Sequence, residues 1–451
     1  MPRDSRERAR RIDGMRLRWH QFPTNTNKAR AVALHELPTI FTWHEKYPTP
    51  PKIRLGYYTI ITTLWCIAFP ATATTTRRNS AYRSVNCHIR SIKMLLDSLN
   101  GIELDAPADF HVHLRDGAMA ELVTPTIRQG GVNTVFVMPN LVPPVTTVAH
   151  ALDYKKRLES IEPNVTFLMS LYLHESITPD TIKEAKKAGI SGVKSYPAGV
   201  TTNSSSGVVS YEQFYDVFAE MERQDMVLNL HGEVPSSATN DVTVLNAEES
   251  FLPTFKDLHR RFPKLRIILE HCTTAAAVEA VKSCGPTVAA TITAHHMFII
   301  IDDWAGDPHC FCKPVAKLPS DRKMLLQTAM SGNPKFFLGT DSAPHPAISK
   351  RGDKIAAGVF TQPHAVGLVF SAMEQAIEKG VLTEKDVTAE KIQGFVAGNG
   401  RAFYRSPNTK GEKVVVKKDA VQIQSSLQNK DGSIEVIPFR RGQKTWSVEW
   451  K

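Results

Sequence analysis

From residue 102 onward, short β-branched runs end in polar residues, and each is followed by a stretch with helical pattern. "ELDAPADFHVHL" is the first run; "GVNTVFVMPN" ends at Asn140 and "NVTFLMSLYLHE" reaches His174. "GISGVKSYP" carries Lys194, "MVLNLHGE" reaches His231 and "LRIILEHC" reaches His271. "TVAATITAHH" closes on His295 and His296, and "KFFLGTDSAPH" carries Asp341 and His345. Between the runs, "TPDTIKEAKKAG" opens on a threonine suited to an N-cap and ends in glycine, and "TTAAAVEAVKSCG" is built the same way. Strands alternating with helices read as βαβ units around a parallel sheet. Eight such units over roughly 250 residues match a (β/α)8 TIM barrel, an α/β fold with its functional groups at the C-terminal ends of the strands.

In "DFHVHLRDG", residues 109–117, His111 and His113 are one residue apart, so on a strand they share a face. A single buried histidine is ordinarily a hydrogen-bonded core residue. Two imidazoles aimed at one point more often serve a metal ion. On the barrel reading, the ends of strands 1, 5, 6 and 8 bring His111, His113, His231, His271 and Asp341 to one mouth. Four histidines and a carboxylate exceed the needs of one tetrahedral zinc, which points to two ions and a ligand between them. Lys194, at the end of strand 4, is the odd member, because an ammonium repels cations. Carboxylated on Nζ, it becomes an anionic carbamate with one oxygen for each metal; unmodified, it is a salt-bridged lysine.

Charge narrows the partners. The chain of 451 residues carries a net +10, but residues 1–93 hold 17 basic and 5 acidic side chains, leaving 38 and 40 for the remainder. The folded body is near neutral, so no basic groove for nucleic acid is expected there. Its hydrophobic content of 42% and charged content of 22% are ordinary for a globular enzyme. The six cysteines form no C-x-x-C pair, which suits reduced thiols and a cytoplasmic protein. The Arg-rich start includes Asp and Glu, a poor fit to a mitochondrial transit peptide. "LGYYTIITTLWCIAFPA", 55–71, is near the short limit for a membrane span and is interrupted by Gly, Thr and Pro. Residues 1–93 are therefore expected to be a basic, poorly structured, non-catalytic extension. Residues 94–451 are expected to be the catalytic domain, with Met94 a sensible start and no membrane association.

Taken together, "DFHVHLRDG", "VMPN", "GVKSYPAGVTTNS", "HGEV", "LEHCTT", "ITAHHMF" and "GTDSAPH" closely resemble the dihydroorotases, in their monofunctional, zinc-dependent form within the amidohydrolase superfamily. The likeness runs from about residue 98 to about 450, takes in "IPFRRGQKTWSVEW", and leaves out the leader. Each motif alone is weak; seven in family order are specific. The resemblance implies reversible interconversion of (S)-dihydroorotate and N-carbamoyl-L-aspartate in pyrimidine biosynthesis. It implies two Zn2+, with His111, His113 and Asp341 on one, His231 and His271 on the other, and carboxylated Lys194 bridging them beside a hydroxide. Asp341 would be the general base and acid. Arg115, Asn140 and His345 would grip the substrate carboxylate, with His113 beside them. Thr201 and Thr202 would reach the substrate from a Gly/Ser/Thr-rich lid, and the backbone at Lys313 and Ala357 would meet the pyrimidine ring. Lys313 departs from relatives that carry an apolar residue there. A homodimer is allowed.

Two rivals remain. A dihydropyrimidinase or hydantoinase acts on rings without a carboxylate, so the Arg115, Asn140 and His345 set argues against it. A metal-free scaffold should lack ligands, and here every expected position is filled.

Overall fold

The computed structural model describes residues 96–451 except 238 and 409. The expectations for residues 1–93 and for a start at Met94 lie outside the described residues.

Eight parallel strands form the barrel: β1 (Ala108–Val112), β2 (Thr134–Val137), β3 (Thr166–Leu168, resumed at Ser170–Tyr172), β4 (Gly192–Ser195), β5 (Val227–Leu230), β6 (Arg266–Leu269), β7 (Val288–Ile292) and β8 (Phe336–Leu338). Neighbours pair in sequence order from β1 to β8 in parallel register. The break at Met169 splits the ladder into two sheets, which the alternation of the sequence did not announce. The ring closes where β8 ends beside β1: Asp341 N donates to His111 O at 2.9 Å, and His113 N donates to Ser342 O at 2.9 Å. The expected (β/α)8 architecture is what the chain adopts.

The helices obey the local signals. Thr178 caps Pro179–Lys187 by accepting from Thr181 N at 3.2 Å, and Gly189, at φ +79°, ends that segment where a side chain would be strained. Thr274 caps Ala275–Ser283 through Ala277 N at 3.1 Å. Each such cap is worth about 1 kcal/mol. Most of the core lies between strands and helices; a second apolar cluster fills the N-terminal end of the barrel itself. There Phe110 stacks on Tyr404 with ring centroids 4.8 Å apart. The interior is thus packed, not a pore.

Outside the barrel, Ile102–Asp105, Lys413–Gln422 and Lys444–Trp450 form an antiparallel sheet. The C-terminal motif belongs to it. Trp450 donates to Arg128 O at 2.8 Å and lies under the Arg128 guanidinium, 3.3 Å from the ring centre. The chain's end is thereby fastened to the first βα connection.

Candidate active site

Simple alternation would send Phe110 and His111 to opposite faces of β1. The pairing register with β2 instead shifts between Asp109 and Val112, a bulge of the kind that re-aims side chains at functional sites. Phe110 therefore packs inside the barrel, while the adjacent His111 faces the mouth with its ring 5.4 Å from that of His113. Opposite them, Gly339 follows β8. A Cβ there would lie 2.7 Å from the Thr291 side chain and 3.1 Å from His111 Cβ, so only glycine permits this approach. Arg115, His271 and Asp341 all sit at positive φ (60°, 40° and 48°), a strain that functional sites concentrate.

The four histidines form a row. His113 to His111 is 5.4 Å between ring centres, His111 to His271 is 4.9 Å, and His271 to His231 is 4.6 Å. Their partners decide their tautomers, since a carboxylate or carbonyl oxygen only accepts. His111 Nδ1 is 2.9 Å from Glu270 Oε2, His231 Nε2 is 2.7 Å from Glu233 Oε2, and His113 Nδ1 is 2.8 Å from Asn140 Oδ1. Those nitrogens carry the protons. The opposite nitrogens of His111 and His113 are left as bare lone pairs, 3.3 and 3.0 Å from the same Asp341 oxygen.

Lone pairs facing a carboxylate with no proton between them need a cation. His111, His113 and Asp341 offer three ligand atoms within 4.8 Å of one another. His111 Nε2, His271 Nδ1 and Lys194 Nζ are moreover buried without a hydrogen-bond partner. Groups of this kind do not stay orphaned in a stable protein unless something else engages them. Burial pushes His111 and His271 well below the usual imidazole range and lowers His113, favouring the neutral, ligating form. Nitrogen and oxygen donors in this arrangement suit zinc.

Lys194, fully buried on β4, faces Tyr196 with Nζ 5.2 Å from the ring centre. Burial lowers its ammonium, although Glu270 and Asp341 act in the other direction. It has no salt-bridge partner among the described residues, so the salt-bridged alternative is not what the structure contains.

A second metal-like group, His295, His296 and Cys312, is buried nearby. His296 is already engaged, with Nδ1 2.9 Å from Thr293 Oγ1 and Nε2 3.1 Å from Pro314 O. Cys312 Sγ donates to Pro314 O at 3.3 Å, so His295 alone is unengaged, short of the three or four donors a zinc site uses.

Above the histidines lies a pocket. His111, His113, Arg115, Asn140, Thr201, Thr202, His231, His271, Lys313, Asp341 and Ala357 all line it. Of the expected residues, Lys194 is buried behind its wall, and His345 touches it through Arg115. Arg115 Nε donates to Pro344 O at 2.9 Å, its Nη2 is 3.1 Å from His345 Nε2, and that nitrogen is 2.9 Å from Ala357 O. Burial, then the Arg115 charge, pushes His345 down to about 2, so this imidazole is neutral. Asn140 does more than face the pocket. Its Nδ2 donates to Thr202 O at 3.0 Å while its Oδ1 holds His113, and Thr202 Oγ1 donates to Ala357 O at 3.4 Å. The Gly/Ser/Thr-rich loop is docked over the site by these bonds.

Tyr196, Ala343 and Gly358 also line the pocket and were not anticipated, nor were the carboxylates Glu233 and Glu270 behind the histidines. Glu233 and Glu270 stand inside "HGEV" and "LEHCTT", but an acid one or two places from a histidine is not by itself a signal in sequence.

A (β/α)8 barrel whose mouth gathers four histidines, an aspartate and a buried lysine is the architecture of the amidohydrolase-type metal-dependent hydrolases. No protein-family model matches the chain. It is 49% identical over 352 residues to the probable dihydroorotase of Schizosaccharomyces pombe, covering 78% of this chain and 99% of that one. The crystal structure of Saccharomyces cerevisiae dihydroorotase in complex with 5-fluoroorotic acid superposes with a TM-score of 0.73 at 45% identity, covering 78% of this chain and 99% of that one. The chain belongs to the dihydroorotase family. The L-hydantoinase of Arthrobacter aurescens, at 18% identity, TM-score 0.61 and coverage of 72% and 78%, shares the fold alone.

Proposed function

We propose that residues 94–451 catalyse the reversible hydrolysis of dihydroorotate to N-carbamoyl-aspartate, with residues 1–93 as a non-catalytic extension. One observation carries this reading: a single pocket joins the orphaned metal-ligand row to the Arg115 guanidinium. A ring-amide hydrolase needs the first, and an anionic ring substrate needs the second.

His111, His113 and Asp341 would hold one zinc, His231 and His271 the other, and Lys194 as an N6-carbamate would bridge the pair. The lowered ammonium of Lys194 supports this, since only the neutral amine adds carbon dioxide. Two zinc ions, when bound, polarise a carbonyl and bring a shared water's pKa toward ~7. Arg115 presents a planar fork to the substrate carboxylate. Pro344 O holds that fork in place by accepting from Nε, the neutral His345 stands beside it, and His113, Asn140, Thr201 and Thr202 close around the ring, with the backbone of Lys313 and Ala357 along its edge. Water oxygen joins the ring carbonyl carbon, the ring C–N bond breaks, and a new carboxylate forms. Asp341 accepts the water proton and delivers it to the departing nitrogen.

A cytoplasmic location and a homodimer belong to the same proposal. The four described cysteines are free thiols, and no described helix is long and apolar enough to cross a membrane. Light scattering of the purified chain reads the assembly. The decisive assay follows ring opening of dihydroorotate, dihydrouracil and hydantoin by absorbance. Turnover of dihydroorotate alone is expected; turnover of the uncharged rings instead would replace this reading with that of a dihydropyrimidinase.

A further inference from the structure

Inside the barrel, just above the apolar cluster, the inward-facing residues two positions on from Val227, Ile268 and Ala289 are Asn229, Glu270 and Thr291. Barrels of this class fill such a layer with branched apolar side chains. Here three adjacent strands supply an amide, a carboxylate and a hydroxyl, all fully or almost fully buried.

Glu270 is the centre of the group. Its Oε2 lies 2.9 Å from His111 Nδ1 and 2.6 Å from Thr291 Oγ1, and its Oε1 accepts from Asn229 Nδ2 at 2.6 Å. Asn229 Nδ2 also lies 2.6 Å from Tyr404 Oη, which ties the layer to the aromatic floor. Thr291 Oγ1 meanwhile accepts from His271 N at 2.6 Å, at the residue whose backbone stands at φ +40°. One carboxylate thus reaches a ligand of each proposed ion, directly on His111 and through Thr291 on the backbone of His271. A buried carboxylate is costly to the fold, and an apolar residue would fill the layer at less cost. Stability does not account for it; ligand orientation does.

We infer that Glu270 is a positioning residue for the metal centre, holding the proton on His111 Nδ1 so that Nε2 faces the ion, and bracing His271 through Thr291. Glu270 does not line the pocket and touches no substrate. The inference rests on the metal-dependent reading above, and its test does not use turnover.

Zinc affinity of the wild-type protein and of Glu270→Gln is measured by competition with a chromophoric chelator, alongside the melting temperature of each after metal removal. The expected result is zinc binding weakened about 10- to 100-fold, the usual effect of losing an outer-shell partner, with the metal-free melting temperature unchanged or raised. Wild-type zinc affinity with only a lower melting temperature would make Glu270 a packing residue and overturn the inference. Should the variant not fold, the wild-type protein labelled with 15N-histidine decides: His111 must be the Nδ1–H tautomer, and an Nε2–H signal overturns the inference equally. A wild-type chain that binds zinc but leaves dihydroorotate intact would refute the proposed function and leave Glu270's role standing.

Discussion

At the scale of single residues, Lys194 separates the proposed chemistry from ordinary packing most sharply. Its side chain is wholly buried and its Nζ has no partner, so a bridging carbamate gives it a purpose. Lys194→Ala should lose most turnover and bind less than two zincs while keeping the barrel, and acetate or propionate should restore part of the rate by refilling the gap. Full activity with two tightly bound zincs in that variant would remove the bridge. Arg115 makes a different kind of claim. Lysine at that position keeps the charge and loses the two-pronged geometry, so Arg115→Lys should stay folded with its metal while KM for dihydroorotate rises at least about tenfold, for the one or two hydrogen bonds lost at ~1.5 kcal/mol or more each. Unchanged kinetics would take Arg115 out of substrate recognition.

At the scale of elements, the loops after β7 and β8 are stitched together by Lys350. Its Nζ donates to Phe311 O at 3.0 Å and Ala356 O at 2.8 Å, next to the pocket residue Ala357. Burial pushes the ammonium down to about 8, against about 10.4 in an unfolded chain. The folded state therefore releases a proton that the unfolded state keeps between those values, and the wild-type protein gains stability as pH rises through that window. Relative to Lys350→Met, thermal melts between pH 7 and 10 should move in favour of the wild type, by up to roughly 3 kcal/mol. A pH-independent difference would show the ammonium to be unperturbed. What the sequence made legible also sorts by element. The eight strands were readable because each carries its own β-branched run and polar end, and the helices because Thr178 and Thr274 are local caps. The bulge in β1 and the break at Met169 were not, because both arise from pairing with a neighbouring strand. The row His111, His113, His231, His271 was readable for its residue type. Glu270 was not, because an acid beside a histidine acquires meaning only once β7 and β1 bring Thr291 and His111 against it.

At the scale of the whole molecule, the described barrel holds its first and last strands by its own bonds. Leu96 and Leu99 already belong to the core, and Ile102–Asp105 pairs with Lys413–Gln422. A chain truncated to begin at Met94 should therefore fold with its melting temperature within a few degrees of the full chain and retain turnover. Loss of soluble protein on truncation would assign the leader a structural part.

The closure of the ring between β8 and β1 also sets a schedule for biosynthesis. His113 and Asp341, 3.0 Å apart in the finished protein, are separated by 228 positions along the chain. A nascent polypeptide leaving the ribosome carries half of the proposed ligand set long before the other half exists, so metal capture at that corner would await the final strand. On the proposed metal centre, ion uptake would then be a late checkpoint, passed only by chains whose barrel has come full circle.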